Sequence, residues 1–207
     1  MTTWLPCPAL AGVILAGGAG QRVDGEDKAW LPWQGRPLFE HTLARLAPQV
    51  DSVWVSANRQ PARYQPWLSD GRLQAVVADD WPGTPGPLAG LASLLPRLCA
   101  RQPASAWILV TPVDTPALPT DLGLRLWQAL ATAGDNAKLA VACTRDQPHW
   151  LHMLLHRSLV DDLHASLTAG EQRVHAWCRR HDALQVRFED EAAFANLNRW
   201  QDFNPQD

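Results

Sequence analysis

Lysine is nearly missing from this 207-residue chain: of its 18 cationic residues only Lys28 and Lys138 are lysine, and the other 16 are arginine. A lysine retained where arginine otherwise supplies charge points to a demand for a compact ammonium. Cysteine is sparse too. Cys7, Cys99, Cys143 and Cys178 stand apart with no CxxC pair, which excludes a zinc ribbon and a disulfide framework and fits a reducing compartment. The segment MTTWLPCPALAG has no basic start, and no apolar run approaches the ~20 residues of a membrane span, so a cytoplasmic protein with no membrane partner is expected. A basic excess is also lacking. A formal net charge of -3 does not equip the chain to neutralise a row of backbone phosphates, so no nucleic-acid partner is expected.

What is present is a globular composition, 46% hydrophobic and 19% charged, which excludes disorder. The length fits one domain over 1–207, without repeat, linker or low-complexity tract. Short β-branched apolar runs at 12–17 (GVILAG), 52–57 (SVWVSA), 73–79 (LQAVVAD), 106–114 (AWILVTPVD) and 138–144 (KLAVACT) read as buried strands. Helical patterns lie between them. Pro37, Pro87 and Pro119 suit first-turn positions, opening PLFEHTLARLAPQV, LAGLASLLPRL and TDLGLRLWQALAT; in the first of these, Leu38, His41, Thr42, Arg45 and Leu46 mark one face. Further on, 149–155 reads as a strand, RSLVDDLHASLTAG and EQRVHAWCRRH as helices, and LQVRFED as a last strand. The alternation predicts an α/β fold: a three-layer α/β/α sandwich on a mostly parallel, Rossmann-like sheet, with ligands beyond the strands' carboxyl ends. The proline-rich WPGTPGP (81–87) is expected to be a shaped loop beside the site.

The most informative stretch is LAGGAGQRVDGEDK, residues 15–28, directly after the first predicted strand. Its glycines free the backbone for close approach to a phosphate. It is neither of two familiar phosphate loops: Val23 occupies the third position of a GxGxxG started at Gly18, and Glu26 stands where a Walker A lysine would follow Gly25. Arg22 and Lys28 nevertheless add two cations to the loop, which favours a phosphate over a plain turn. Arg22 can hold phosphate with its planar fork, or pair with Asp24, Glu26 or Asp27.

LAGGxGxRxxGxDK followed by GRPLFEH resembles the signature of nucleotidyltransferases that make activated sugars and cofactors, above all the molybdenum cofactor guanylyltransferase family. The similarity continues in order through SANR (56–59), VVADD (76–80), PGPLAG (85–90), VDTPALP (113–119), AGEQRV (169–174) and NLN (196–198). Taken singly most of these motifs are weak, but seven in sequence are specific. The resemblance implies a nucleotide-diphospho-sugar transferase fold with a nucleotide-binding half at about 10–115 and an acceptor half at about 116–207. It implies transfer of GMP from Mg2+-bound GTP to molybdenum-molybdopterin, with release of pyrophosphate. Molybdopterin-insertion and delivery proteins or apo-molybdoenzymes are further implied partners, and a monomer is expected.

Residue by residue, the resemblance places Leu15, Ala16, Gly17, Lys28, Asn58, Asp79 and Asp114 at the nucleotide. It makes Asp114 the Mg2+ ligand and, with Lys28 and Arg22, part of the catalytic group. Lys28 would neutralise α-phosphate oxygens and Arg22 the leaving phosphates. Gly25, Gly86, Gly90, Arg173, Asn196 and Asn198 would line the acceptor side. Simpler structural roles stand beside these: an Asx turn at Asp114, a turn at Asn58, a surface helix at Arg173, capping asparagines near the chain end. Asp80 is the neighbour that a one-residue shift from Asp79 would select.

The chain departs from the family at Val23 and Asp24, where a methionine and a glycine are common, and at the bulky PHWLHMLLH. His149, His152 and His156 invite a metal reading, but strict alternation would put His149 opposite His152, and no acidic or thiolate pattern completes a site. The eleven tryptophans read as packing. Three further classes remain to be separated: a CTP-dependent transferase acting on molybdopterin or on a sugar or polyol phosphate, a noncatalytic cofactor carrier, and an NAD-dependent oxidoreductase, which the missing third glycine disfavours. Gly17 and Asn58 lean toward guanine.

Overall fold

The computed structural model describes residues 6–17, 27–81 and 86–197. The chain runs β1 (Leu10–Leu15), a 3-10 turn Lys28–Trp30, a small hairpin β2 (Pro32–Trp33) and β3 (Arg36–Pro37), α1 (Leu38–Leu46), β4 (Ser52–Ser56), α2 (Gln65–Ser69), β5 (Ala75–Val77) and α3 (Pro87–Arg101). It continues through β6 (Trp107–Pro112), α4 (Leu122–Ala133), β7 (Leu139–Thr144), β8 (Gln147–His156), α5 (Val160–Thr168), α6 (Val174–Arg180) and β9 (Leu184–Phe188).

Seven strands form one sheet in the order β5-β4-β1-β6-β8-β7-β9. The block β5-β4-β1-β6 is parallel, β8 runs antiparallel to both β6 and β7, and β9 is parallel to β7. The expected α/β sandwich on a mostly parallel sheet is therefore present. Along β1 the side chains alternate between two cores. Leu10 and Ile14 meet α1 and α4 through Phe39, Leu43, Leu46, Leu122 and Leu126. Ala11, Val13 and Leu15 meet α3, α5 and α6 through Leu91, Leu95, Leu163 and Trp177. A strand buried on both faces must be apolar throughout, which is why these runs show no polar alternation. Because β1 lies between β4 and β6, the chain turns to one side through α1 and to the other after α3. This reversal opens a crevice at the carboxyl ends of β1 and β6.

Four expectations shift. Pro87 does open α3, but Pro37 lies just ahead of α1, and α4 starts at Leu122 behind Asp121 rather than at Pro119. On α1 the buried face includes Phe39 and Leu43, while Arg45 is exposed. Alternation fails in β8: its pairing with β7 slips from Val141↔Met153 to Ala142↔His149. Three extra residues in β8 invert the parity, so His149 and His152 share one face, with ring centres 5.9 Å apart. His156 lies at the strand's far end, where its Nδ1 accepts from Ser158 N–H. Among the described residues no group of three or more potential metal ligands occurs. Trp30, Trp54, Trp107 and Trp177 are buried, as packing residues should be.

Candidate active site

The side chains at the carboxyl ends of β1, β4, β5 and β6 converge on the crevice. The backbone ladder continues past the strands: Ala16 N–H donates to Ser56 O (2.8 Å), Ala57 N–H to Val77 O (2.9 Å) and Val113 N–H to Leu15 O (3.0 Å). The residues that follow each strand are therefore held as firmly as the strands themselves. Lys28 and Asp114, 86 residues apart, meet here, with Nζ donating to Oδ2 at 2.7 Å and side chains 21% and 19% exposed. Lys28 cannot drift, because it begins a 3-10 turn capped by the Asp27 carboxylate and closed by buried Trp30, whose ring lies 4.8 Å from Tyr64 and 5.7 Å from Phe39. The other carboxylate oxygen, Asp114 Oδ1, is buried with no hydrogen-bond partner among the described residues. Such an oxygen costs ~1–3 kcal/mol or more when left unpaired. A cation would supply the missing partner.

A second group sits on the β4 and β5 side. Asn58 Nδ2 donates to Gly17 O (3.2 Å) and to Asp79 Oδ2 (2.8 Å), while its Oδ1 accepts from Asp79 N–H (2.7 Å). Both amide hydrogens are spent, so the carboxamide clasps the loop after β1 to the loop after β5. Burial pushes the Asp79 carboxyl above its ordinary pKa, against the opposing effect of hydrogen bonds from Asn58 and Ser56. Asp80 points elsewhere. Its carboxylate pairs with Arg97 at 2.7 Å and its N–H donates to Ser93 Oγ, so of the two neighbours Asp79 is the one at the crevice. Gly90 in α3 faces this group: a Cβ there would come within 2.5 Å of Ser56 Oγ and 3.2 Å of Asp79 Oδ1. Only a glycine fits at this position while Ser56 and Asp79 stay where they are.

The turn bearing Asp114 is braced on every side. Val113 O accepts from Thr42 Oγ1 (3.0 Å), Thr115 Oγ1 donates to Pro112 O (3.2 Å) and lies 2.8 Å from His152 Nε2, and Asp114 O accepts from Leu197 N–H (2.9 Å). Burial, reinforced by His149, lowers the His152 pKa to about 3, so the ring is neutral. Sequence alone gives no site role to Thr42, Ser56, Thr115 or His152. Ser56 and Thr115 stand inside the SANR and VDTPALP motifs, whereas nothing in the chain order ties Thr42 or His152 to Asp114.

A family model, that of the MobA-like NTP transferase domain, matches residues 12–185. A molybdenum cofactor guanylyltransferase of Burkholderia lata is 45% identical over 200 residues, covering 94% of either chain. The chain belongs to the MobA-like NTP transferase family. Its fold is similar to that of molybdopterin-guanine dinucleotide biosynthesis protein A from Archaeoglobus fulgidus (19% identity, TM-score 0.71, 94% and 95% of the two chains). It is also similar to 4-diphosphocytidyl-2C-methyl-D-erythritol synthase from Anaerococcus prevotii (14% identity, TM-score 0.68, 95% and 93%). The fold is common to a guanine and a cytidyl protein and does not choose the base.

Within this MobA-like transferase the expected acceptor residues are spread more widely. Gly86 precedes α3 at φ +145°, a backbone that other residues rarely adopt, with open space around it. Asn196 is exposed and immediately precedes Leu197, which anchors to Asp114. Arg173 is exposed at the start of α6, its N–H donating to Glu171. Arg22, Gly25 and Asn198, with Gly18, Gly20, Asp24 and most of the 81–87 loop, lie outside the described residues. Magnesium takes one or two carboxylates together with phosphate oxygens and water. The unpaired Asp114 Oδ1 fits that donor set.

Proposed function

We propose that this chain transfers GMP from GTP, bound with Mg2+, to the phosphate of molybdenum-molybdopterin, giving the guanine dinucleotide form of that cofactor and pyrophosphate. The observation that carries the reading is the Lys28–Asp114 pair, with Asp114 Oδ1 left over, at the crevice where the Ala16–Gly17 loop begins. An acceptor phosphate oxygen forms a bond to the α-phosphorus, the bond from that phosphorus to the bridging oxygen breaks, and the electron pair leaves with pyrophosphate. A phosphate monoester is largely dianionic near neutrality and needs no general base. The protein's task is to bring two anions together and meet the charge that grows between them.

Lys28 supplies a point charge to the α-phosphate oxygens, and the clasp of Asn58 on Gly17 and Asp79 shapes the base and ribose side. Asp114 would hold Mg2+ through Oδ1 while Oδ2 remains with Lys28; when bound, the ion supplies charge neutralisation at the phosphates. Pyrophosphate release is to be measured with each of the four nucleoside triphosphates, magnesium and molybdenum-molybdopterin. Turnover with GTP alone supports the reading. Turnover with CTP alone replaces it with cytidylyl transfer, and binding without turnover with a carrier role.

A further inference from the structure

His152 is a buried polar side chain in an apolar layer, and the steps proposed above make no use of it. Its Nε2 lies 2.8 Å from the hydroxyl of Thr115, the residue that follows Asp114. Its ring is fixed in turn by Phe194, edge-on at 5.1 Å, and by His149 at 5.9 Å. Phe194 stands three residues before Leu197, whose N–H holds the carbonyl of Asp114 itself. One segment thus braces the carboxylate-bearing residue twice, through its own carbonyl and through His152 and Thr115. The parity inversion in β8 makes this possible, since with strict alternation His149 could not support the His152 ring.

We propose that His152 is a positioning residue for Asp114, fixing the Thr115 hydroxyl and so the turn that carries the Asp114 carboxylate, whose unpaired Oδ1 would take a divalent cation bound with a nucleoside triphosphate. A carboxylate oxygen that is buried without a partner is otherwise free to rotate toward water or a backbone N–H. Lys28 holds the carboxylate through Oδ2, and two bonds at Thr115, to Pro112 O and to His152, fix the backbone that carries it. Outer groups that orient a metal ligand typically change metal affinity by ~10–100-fold when removed. The inference rests on the proposed role of Asp114 but not on the identity of the acceptor.

The test is titration of Mn2+ with GTP, followed by electron paramagnetic resonance, on the full-length protein, with urea unfolding of each variant alongside. His152→Phe keeps a ring against Phe194 and removes Nε2; about tenfold weaker Mn2+·GTP binding is expected, by the outer-group range above. His152→Gln returns a polar nitrogen near that position and should recover most of the affinity. Thr115→Val should match His152→Phe, Thr115→Ser should bind as wild type, and the double variant His152→Phe/Thr115→Val should lose no more than either single one. If His152→Phe does not fold, the Thr115 pair carries the same comparison. A folded His152→Phe with unchanged affinity, or losses that simply add in the double variant, overturns the proposal, as does a wild-type protein that binds no Mn2+·GTP. Wild-type binding with no transfer to molybdenum-molybdopterin overturns the proposed reaction alone.

Discussion

Replacing Lys28 by alanine removes the ammonium 2.7 Å from Asp114 Oδ2 and leaves that carboxylate without its cation. Hydrogen bonds to charged groups contribute ~1.5–3 kcal/mol to stability. With the two side chains 21% and 19% exposed, water partly replaces the lost partner, so the lower half of that range applies. A loss of that size is a minor part of a typical ~5–15 kcal/mol and leaves the protein folded. The effect on turnover is larger. Removing one charge-directed contact made mainly in the transition state lowers kcat by ~10²–10³, so Lys28→Ala should reduce kcat to that extent while the KM for GTP changes far less. Lys28→Arg should rescue poorly. The turn cannot retreat to accommodate a longer planar fork, because Trp30 two residues on is locked between Phe39 and Tyr64. Steady-state pyrophosphate release over a range of GTP concentrations, with urea unfolding as control, decides the matter. An unchanged kcat with equal losses in affinity and kcat/KM makes Lys28 a ground-state binder, and full rescue by arginine refutes the geometric argument.

Asp114→Asn keeps the shape of the turn but not the charge, so turnover should fall ~10²–10³-fold, most severely at limiting magnesium; near-normal turnover there would remove Asp114 from the metal role. Burial raises the Asp79 pKa, so its ionised form is penalised in the folded state and the penalty is fully present above the folded pKa. Asp79→Asn should therefore raise the melting temperature at neutral pH while weakening GTP binding, and a lower melting temperature contradicts the assignment of that strain. In α5, burial raises the pKa of Asp162, but the hydrogen bonds from His181, Arg180 and Trp177 outweigh it and hold it at about 2. A depressed carboxyl contributes stability above its unfolded pKa and loses it as pH falls through the folded one, here between about pH 4 and pH 2. Since the Asp162 side chain is 42% exposed, the contribution is discounted to about 1 kcal/mol. Asp162→Asn should flatten that part of the acid limb of stability, and an acid limb unchanged by the substitution removes Asp162 from it.

The strands and the placement of the candidate site residues were legible for one reason: a parallel sheet's apolar runs announce themselves, and the residues at its carboxyl edge stand directly after them. Gly17, Asn58, Asp79 and Asp114 could be placed at one edge for that reason, and the scarcity of lysine drew attention to Lys28. Their pairing across 86 residues could not be read, because sequence order carries no distance. The β2–β3 hairpin escaped notice because its turn, Gln34–Gly35 with φ of 48° and 79°, uses glutamine where asparagine or aspartate signals such turns. Its strands also carry two prolines, Pro32 and Pro37. The five residues of α2 are too few for helical periodicity to register. The irregularity in β8 inverted which histidines share a face, and with it hid the contact between His152 and Thr115. A bulge is a property of strand pairing, and alternation within one strand cannot report it.

In the proposed reaction Lys28 and Asp114 drive guanylyl transfer to a pterin phosphate. Mass spectrometry of the product formed from GTP, magnesium and molybdenum-molybdopterin tests it most directly. The wild-type protein should yield a species heavier than the acceptor by one GMP unit, together with one pyrophosphate per molecule formed, and Asp114→Asn should yield almost none. A product carrying CMP, no nucleotide product at all, or equal yields from wild type and Asp114→Asn would contradict it.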